Sequence, residues 1–470
     1  MVMFALAGIG LLWLFAWFVR LERRNQRHTI FVIFVTGYLA EAILASQSAR
    51  VAVGILRPKI AGQDFRLPDV LIVLVLAARC FGTARGGRIM SGVMSICAFG
   101  AWYATAAVVG LLNQMPTAVV LFQGKAIFYV LGAVIVGSGV DTARLSEHLA
   151  LPAVVLASVL AVAAILGLLH RSISVVTPVQ RFDHLGMVSN DTASVLVVIG
   201  ALVLVAEAVR PRRRRALVVA GIWLLMAPLV GDHRATYLVL MVVVGMMLLA
   251  VFGRTWSRRS SVRPSVLMCS VLGVVVFGMA AASLTPLSTV VLQRFDTAFA
   301  GEATARSSES RVVMAERAVE HISEHPIIGS GVGMQVLRTG EYIDEDLASA
   351  HNFLLDITLR SGLVGLTLFL VVLFHALRIG VQRWRTEPDH RTAVVCLAAT
   401  LGVAGVLSKA MVEPALDKYR LSILFGLCVG VIFCADRRPT QVPVPGLPTR
   451  GPRAIGPMTP SMADVITPAR

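Results

Sequence analysis

Residues 305–333, ARSSESRVVMAERAVEHISEHPIIGSGVG, and 350–365, AHNFLLDITLRSGLVG, frame the one long polar stretch in a chain that is otherwise a succession of apolar runs. The first piece predicts a helix that starts near Ser307 or Ser308, whose hydroxyls suit a cap, with Glu309 placed to complement the helix dipole. Val312, Ala315, Val319 and Ile322 recur at helical spacing and predict one apolar face, with Arg311 beside it and Arg317 farther along. His325-Pro326 is a helix stop. Gly329, Gly331 and Gly333 then allow a tight turn in which backbone N–H groups can converge on an anion. His351-Asn352 stands at the mouth of the next apolar run.

Composition decides the class around that stretch. The chain has 470 residues, 56% of them hydrophobic and only 15% charged, and a mean hydropathy of +0.77. Runs near bilayer-crossing length recur about thirteen times. They lie at 3–19, 29–46, 68–82, 91–112, 117–140, 149–169, 191–209, 216–231, 236–252, 266–284, 353–376, 392–412 and 419–434. The expected fold is all-α: a polytopic integral membrane protein of about 12–13 transmembrane helices, with one long extracytoplasmic loop that holds short helices. Four regions follow: an N-terminal transmembrane bundle over 1–284, the extracytoplasmic loop over 285–352, C-terminal transmembrane helices over 353–436, and a disordered cytoplasmic Pro-rich tail over 437–470.

Other classes are set aside. The first apolar run has no basic region before it and no A-x-A-like site after it, so it is expected to stay as a helix. The six cysteines fall within or at the ends of apolar runs without metal-ligand spacing, and are expected to act as buried small hydrophobes. There is no repeat, no Walker A motif and no dinucleotide fingerprint, so ATP does not supply the energy.

The net charge of +16 and pI of 10.6 follow the membrane rather than nucleic acid. Arginines cluster in short links: RLERRNQR at 20–27, RPRRRR at 210–215, GRTWSRRSSVR at 253–263 and RIGVQRWR at 378–385. The positive-inside rule makes these cytoplasmic. Alternation then places 285–352, 170–190, 231–236 and 413–420 outside, with the N-terminus outside and the C-terminus inside. The link carrying Arg50, Arg57 and Lys59 falls outside against the rule. Either the first two spans are miscounted, or these cations face an anionic substrate.

Ionisable groups within the runs are costly in lipid and become site candidates: Glu41, Arg79, Lys125, Glu207, Arg360 and Lys409. Arg79 and Glu207 lie near cytoplasmic ends and are expected to snorkel. Lys409 and Glu413, one turn apart, are expected to pair. Arg234, in the short link GDHRATY, is pinned near the bilayer surface and needs an anion or a carboxylate such as Asp232. On the same expected side, His351 is the side chain best matched to proton transfer near neutral pH.

Taken in order and topology, GDHRA at 231–235, ESR at 309–311, HPIIGSGVG at 325–333 and HNFLLDITLRSGLVG at 351–365 resemble the motif series of the O-antigen ligase and O-antigen polymerase superfamily. The resemblance implies a GT-C-like, metal-independent membrane glycosyltransferase with no cofactor. Its donor would be a glycan on polyprenyl (undecaprenyl) diphosphate, in the outer leaflet of the bacterial cytoplasmic membrane. Carried over by position, Arg234 and Arg311 would bind the diphosphate. His351 would be general base on the acceptor hydroxyl, with inversion at the anomeric carbon. Lower-ranked candidates are His233, Asp232, Arg317, His325, Asn352, Lys125 and Lys409, with Lys125 facing the diphosphate from the next wall of the cavity. Implied partners are the donor, a glycan, lipid or protein acceptor, the bilayer, and flippase and chain-length regulator proteins; nucleic acid is not one. Two departures from the family pattern matter. Met314 and Ala315 stand where an aromatic residue is common. Asp232-His233 precedes Arg234 where small residues are commoner, which makes His233 a rival base.

Three function classes remain: a polymerase joining lipid-linked repeat units of a surface polysaccharide, a ligase moving a finished glycan to a lipid, protein or wall acceptor, and a transporter or flippase. Only four of the 43 basic residues are lysines, a bias of GC-rich genomes that favours polymerase or envelope ligase over lipid A core ligase. The charges gather at one outer surface rather than at mid-membrane, which favours an enzyme over a transporter. Asp64 and Asp69, five residues apart, do not make the paired-carboxylate metal site of metal-dependent polyprenyl-phosphate glycosyltransferases.

Overall fold

The computed structural model describes residues 2–24, 26–44, 59–60, 63–64, 66–82, 92–142, 145, 152–159, 190–209, 214–229, 234–256, 302–336, 350 and 352–435. These lie in one compact unit, Met1–Arg437; a second unit, Arg438–Arg470, lies outside the described residues and contains nearly all of the expected tail.

The described chain is helical. In order it forms α1 (Val2–Arg23), α2 (Arg27–Leu44), α3 (Leu67–Gly82), α4 (Val93–Leu112), α5 (Thr117–Gly137), α6 (Asn190–Val209), α7 (Arg215–Leu225), α8 (Arg234–Trp256), α9 (Glu302–Glu324), α10 (Phe353–Thr386), α11 (His390–Ala410) and α12 (Tyr419–Ala435). Four helical stretches are long and apolar enough to cross a membrane: Met94–Leu112, Thr117–Gly137, Phe353–Thr386 and Arg391–Ala410. Shorter apolar stretches lie at Arg27–Leu39, Arg215–Leu225, Ala235–Ala250 and Tyr419–Ala435. Together they make a multi-pass membrane protein. The expected run at 266–284 and most of that at 149–169 lie outside the described residues. One departure from the all-helical reading is a two-residue antiparallel pair, β1 (Lys59–Ile60) with β2 (Gln63–Asp64), in the link between α2 and α3.

Helix boundaries follow local chemistry. Asn352 caps α10, its Oδ1 accepting from the N–H groups of Leu354 and Leu355 at 2.9 and 3.3 Å. Asp389 caps α11 by accepting from Arg391 and Thr392. Proline precedes α5 and sits in the first turn of α3, where its missing N–H costs nothing.

The tightest seam joins α5 to α12. Gly426 and Gly430, four apart, bring α12 against the α5 backbone; a Cβ on either would lie 2.4 and 2.3 Å from the carbonyls of Val130 and Val134. Without a hydrophobic drive between helices in lipid, close van der Waals approach through small residues takes its place. Polar contacts sort to the two ends of the bundle. At one end Arg27 meets Glu22, Arg79 meets Ser138, and Thr142 meets Thr392. The other end joins Asp191, Lys409, Glu413 and Lys418, and Asn113 to Ser330.

Three expectations are corrected. Glu207 does not snorkel: it is 2% exposed and accepts the Arg214 N–H at 3.1 Å, just before α7. Cys80 and Cys97 are exposed rather than buried, on the outer faces of α3 and α4, whereas Cys396 and Cys428 are buried as expected. Cys269 lies outside the described residues. The loop helix starts at Glu302, ahead of Ser307 and Ser308, because EATAR supplies ready helix formers.

Replacing Gly430 by Ala should force α12 off α5 and cost about 1–3 kcal/mol. Gly124→Ala, where no described atom comes within 4 Å, should leave the melting temperature unchanged or raise it. Thermal melts of the two purified variants check this pair.

Candidate active site

The polar stretch builds its site on a broken helix. Gly362 in α10 has φ +66 and ψ −173, so the helix ladder stops there. In an unbroken helix Leu363 and Val364 would donate to the carbonyls of Leu359 and Arg360. Instead Leu363 N–H donates to Pro326 at 2.8 Å and Val364 N–H to Ile327 at 3.4 Å. The freed carbonyls are taken in return: Leu359 by Ser330 N–H at 2.8 Å, Arg360 by Gly331 N–H at 3.1 Å, and Ser361 by Trp102 Nε1 at 2.8 Å. The turn HPIIGSG thus substitutes for the missing turn of α10.

The fit leaves no room for side chains. Gly329, Gly331 and Gly333 all have positive φ. A Cβ at Gly329 would meet the Ser361 nitrogen at 2.6 Å, and one at Gly362 the Ile327 oxygen at 2.0 Å. The anion-nest reading of these glycines is corrected here. Gly329 N–H donates to His325, Val332 N–H to Ala106 at 2.9 Å and Gly333 N–H to Gln123 Oε1 at 2.7 Å, so the turn spends its donors on the protein.

Upstream, α9 packs on α10 through Met314, Ala318 and Ile322 against Leu355 and Leu359. Of the expected apolar face, Ile322 joins this contact, whereas Val312 and Val319 are 56% and 53% exposed; Met314 and Ala318 are buried. The small Ala318 lets α10 approach, and the stripe at four-residue spacing follows from that contact. Arg311 is exposed on α9, with no carboxylate partner among the described residues, and Arg317 is half-buried. His325 is exposed where the helix ends, its carbonyl accepting from Gly329 at 3.0 Å.

His351, Asp232 and His233 lie outside the described residues, and the side chain of Arg234, the first residue of α8, lies outside them too. Both neighbours of His351 are described and both are held to the first turns of α10. Ala350 N–H donates to Asp356 Oδ1 at 2.9 Å, and Asn352, a lower-ranked site candidate, is the helix cap. Asp356 in turn lies 3.9 Å from Arg360, which makes a bidentate pair with Asp417, both contacts at 2.8 Å. Sequence reasoning named Arg360 and missed both carboxylates; the i, i+4 spacing of Asp356 and Arg360 was the available signal.

Lys125 and Lys409 are engaged by carboxylates. Lys125 pairs with Asp69 at 2.7 Å. Lys409, fully buried, donates to Asp191 at 2.9 Å and Ser194 at 3.1 Å, with its expected partner Glu413 farther off at 3.8 Å. Glu413 and Lys418 pair at 3.2 Å in the link after α11. Burial pushes the Glu413 carboxyl up, but the ammonium groups of Lys418 and Lys409 outweigh it and hold it below its ordinary value. Burial likewise pushes Lys418 down, and Asp191 and Glu413 overcome this and raise it.

Residues 219–370, from within α7 to the middle of α10, match the family model described as O-Antigen ligase. Over this span the chain is similar to the O-antigen ligase family. The matched span includes Arg234, Arg311, His351 and the whole turn-and-break unit. No curated protein matches the chain.

The paired shifts give a pH dependence. The Glu413 contribution is present above the ordinary carboxylate range and is lost as pH falls through its lowered value; that of Lys418 is present below the ordinary lysine range and is lost as pH rises through its raised value. Glu413→Gln should therefore lower the melting temperature at pH 7, by less and less as the pH falls below the ordinary carboxylate range, as a melt series with falling pH will read.

Proposed function

We propose that the protein is a membrane glycosyltransferase. It moves a glycan from a polyprenyl-diphosphate carrier to an acceptor hydroxyl on the extracytoplasmic face of the bacterial inner membrane, without a metal. Polymerisation of surface-polysaccharide repeat units is the reading preferred, over transfer of a finished glycan. The observation that carries it is the O-antigen ligase match over 219–370, which spans both arginines and the histidine. The locked turn on α10 supports it by fixing the ends of the segment in which His351 stands.

The chemistry needs three parts. His351 takes the proton of the acceptor hydroxyl as its oxygen attacks the anomeric carbon from the face opposite the leaving group. The bond between that carbon and the diphosphate oxygen breaks, and its electron pair leaves on the diphosphate. Arg234 and Arg311 hold the diphosphate and stabilise the charge that grows on it. An exposed arginine on α9 without a carboxylate partner among the described residues suits this task. Asp356, through Ala350, is a positioning residue for the base rather than a group that touches substrate. The donor and acceptor glycans are the substrates; a flippase and a chain-length regulator are the further partners.

General-base catalysis is typically worth about 10²–10⁴-fold, so His351→Ala should retain its fold and lose most turnover. The test is a deletion strain restored with wild type or His351→Ala, with lipid-linked and surface glycans sized on gels. Single repeat units accumulating on the carrier mark a polymerase. Full-length chains stranded there mark a ligase. Near-normal surface glycan with His351→Ala would remove the histidine from the mechanism.

A further inference from the structure

Three cations from three separate elements converge on two tyrosines at the bundle end that holds the 413–420 link. Arg66, just before α3, lies with its guanidinium 3.9 Å from the centre of the Tyr419 ring. Arg420 approaches the same ring at 5.1 Å and donates from Nε to the Tyr419 hydroxyl at 2.8 Å. Lys125 is 5.6 Å from the ring of Tyr129, which in turn neighbours Tyr419 with centroids 6.0 Å apart.

Two carboxylates belong to the cluster and both are engaged. Asp69 accepts from Lys125 and from the Arg66 backbone N–H, each at 2.7 Å, and Glu41 accepts the Tyr419 hydroxyl. The guanidinium of Arg66 is different: half-buried, it has no carboxylate within ion-pair distance among the described residues. An arginine over an aromatic face keeps its in-plane N–H donors for another acceptor. At a bilayer surface a half-buried cation without an anion is costly, which makes the missing acceptor informative.

The sequence gives an independent sign of the same thing. The link leading into α3 carries Arg50, Arg57 and Lys59 before Arg66, with Asp64 the one acid between residues 45 and 66. Alternation puts this link outside, where the positive-inside rule disfavours such an excess. Cations kept on the unfavoured side, next to an arginine with no carboxylate, are explained by a negative ligand arriving from that side.

We propose that Arg66, Lys125 and Arg420 form an anion site for a phosphate group presented at the membrane surface, additional to Arg234 and Arg311. Arg66 supplies the unengaged donors; Arg420 and Lys125 supply charge from the flanks, and both guanidinium groups lie against the Tyr419 ring. Glycosyl transfer need not be correct for this site to exist.

The test uses the full chain in a phosphate-free maltoside detergent, carrying Arg311→Gln so that the donor site does not report. Three probes are titrated: inorganic phosphate, farnesyl phosphate and farnesol. Arg66→Gln strands no carboxylate, so the fold should be retained, and an unchanged melting temperature without ligand checks this. Binding of farnesyl phosphate should weaken about tenfold or more with Arg66→Gln and recover in part with Arg66→Lys, while farnesol is unaffected. An equal loss for inorganic phosphate assigns the site to the free anion; a loss confined to farnesyl phosphate assigns it to a lipid headgroup. Unchanged binding of both phosphate probes to Arg66→Gln would overturn the proposal, as would absence of any phosphate binding once Arg311 is replaced.

Discussion

The exchange of backbone hydrogen bonds between the 326–331 turn and the break at Gly362 is the constraint on which the outer half of the molecule depends. A helix broken near a bilayer surface leaves carbonyls and N–H groups that lipid cannot satisfy, and each buried orphan costs about 1–3 kcal/mol. Here the turn meets two N–H groups and two carbonyls, and Trp102 a third carbonyl. Since both sides need the other, the break and the turn form together or not at all. Irregular backbone at such a level is tolerated where protein covers it, and such places in membrane proteins commonly carry function.

From that junction the site is assembled by short reaches. α9 ends one residue before His325 and lies against α10 through Met314 and Ala318, so Arg311 is carried on a helix whose far end is fixed. The other end of the loop returns at Ala350 and Asn352, held by Asp356 and by the first turn of α10. Arg360 then ties this same turn to Asp417 between α11 and α12. Buried ion pairs contribute little net stability, because desolvation offsets attraction, yet losing one partner is costly. Their service here is geometric: they set the register of three helix ends beneath the loop.

Much of this was legible in the sequence, and the rest was not for identifiable reasons. Apolar runs located the described helices because bilayer thickness imposes a length that composition reveals. His325-Pro326 marked the end of α9, and the family resemblance fixed the span later matched as O-antigen ligase. The glycine turn was read as an anion cradle because its N–H groups were visible and their acceptors, Leu359 and Arg360 in α10, Ala106 in α4 and Gln123 in α5, were not. Periodicity offered the Val312–Val319 face of α9 as readily as the Met314–Ala318 face, and only the partner helix decides between them. Asp417 stands in a short polar link and Asp191 in the first turn of α6, where an acid suits the helix dipole, so nothing local shows that each closes a salt bridge to a residue far along the chain.

The most direct test of the turn-and-break unit is amide hydrogen exchange, followed by mass spectrometry on the full-length protein in detergent. If Ser330, Gly331, Leu363 and Val364 are paired across the junction, peptides containing them exchange as slowly as those from α12. Exchange of the 326–333 peptide at the rate of an open loop, with α12 still protected, would contradict the account.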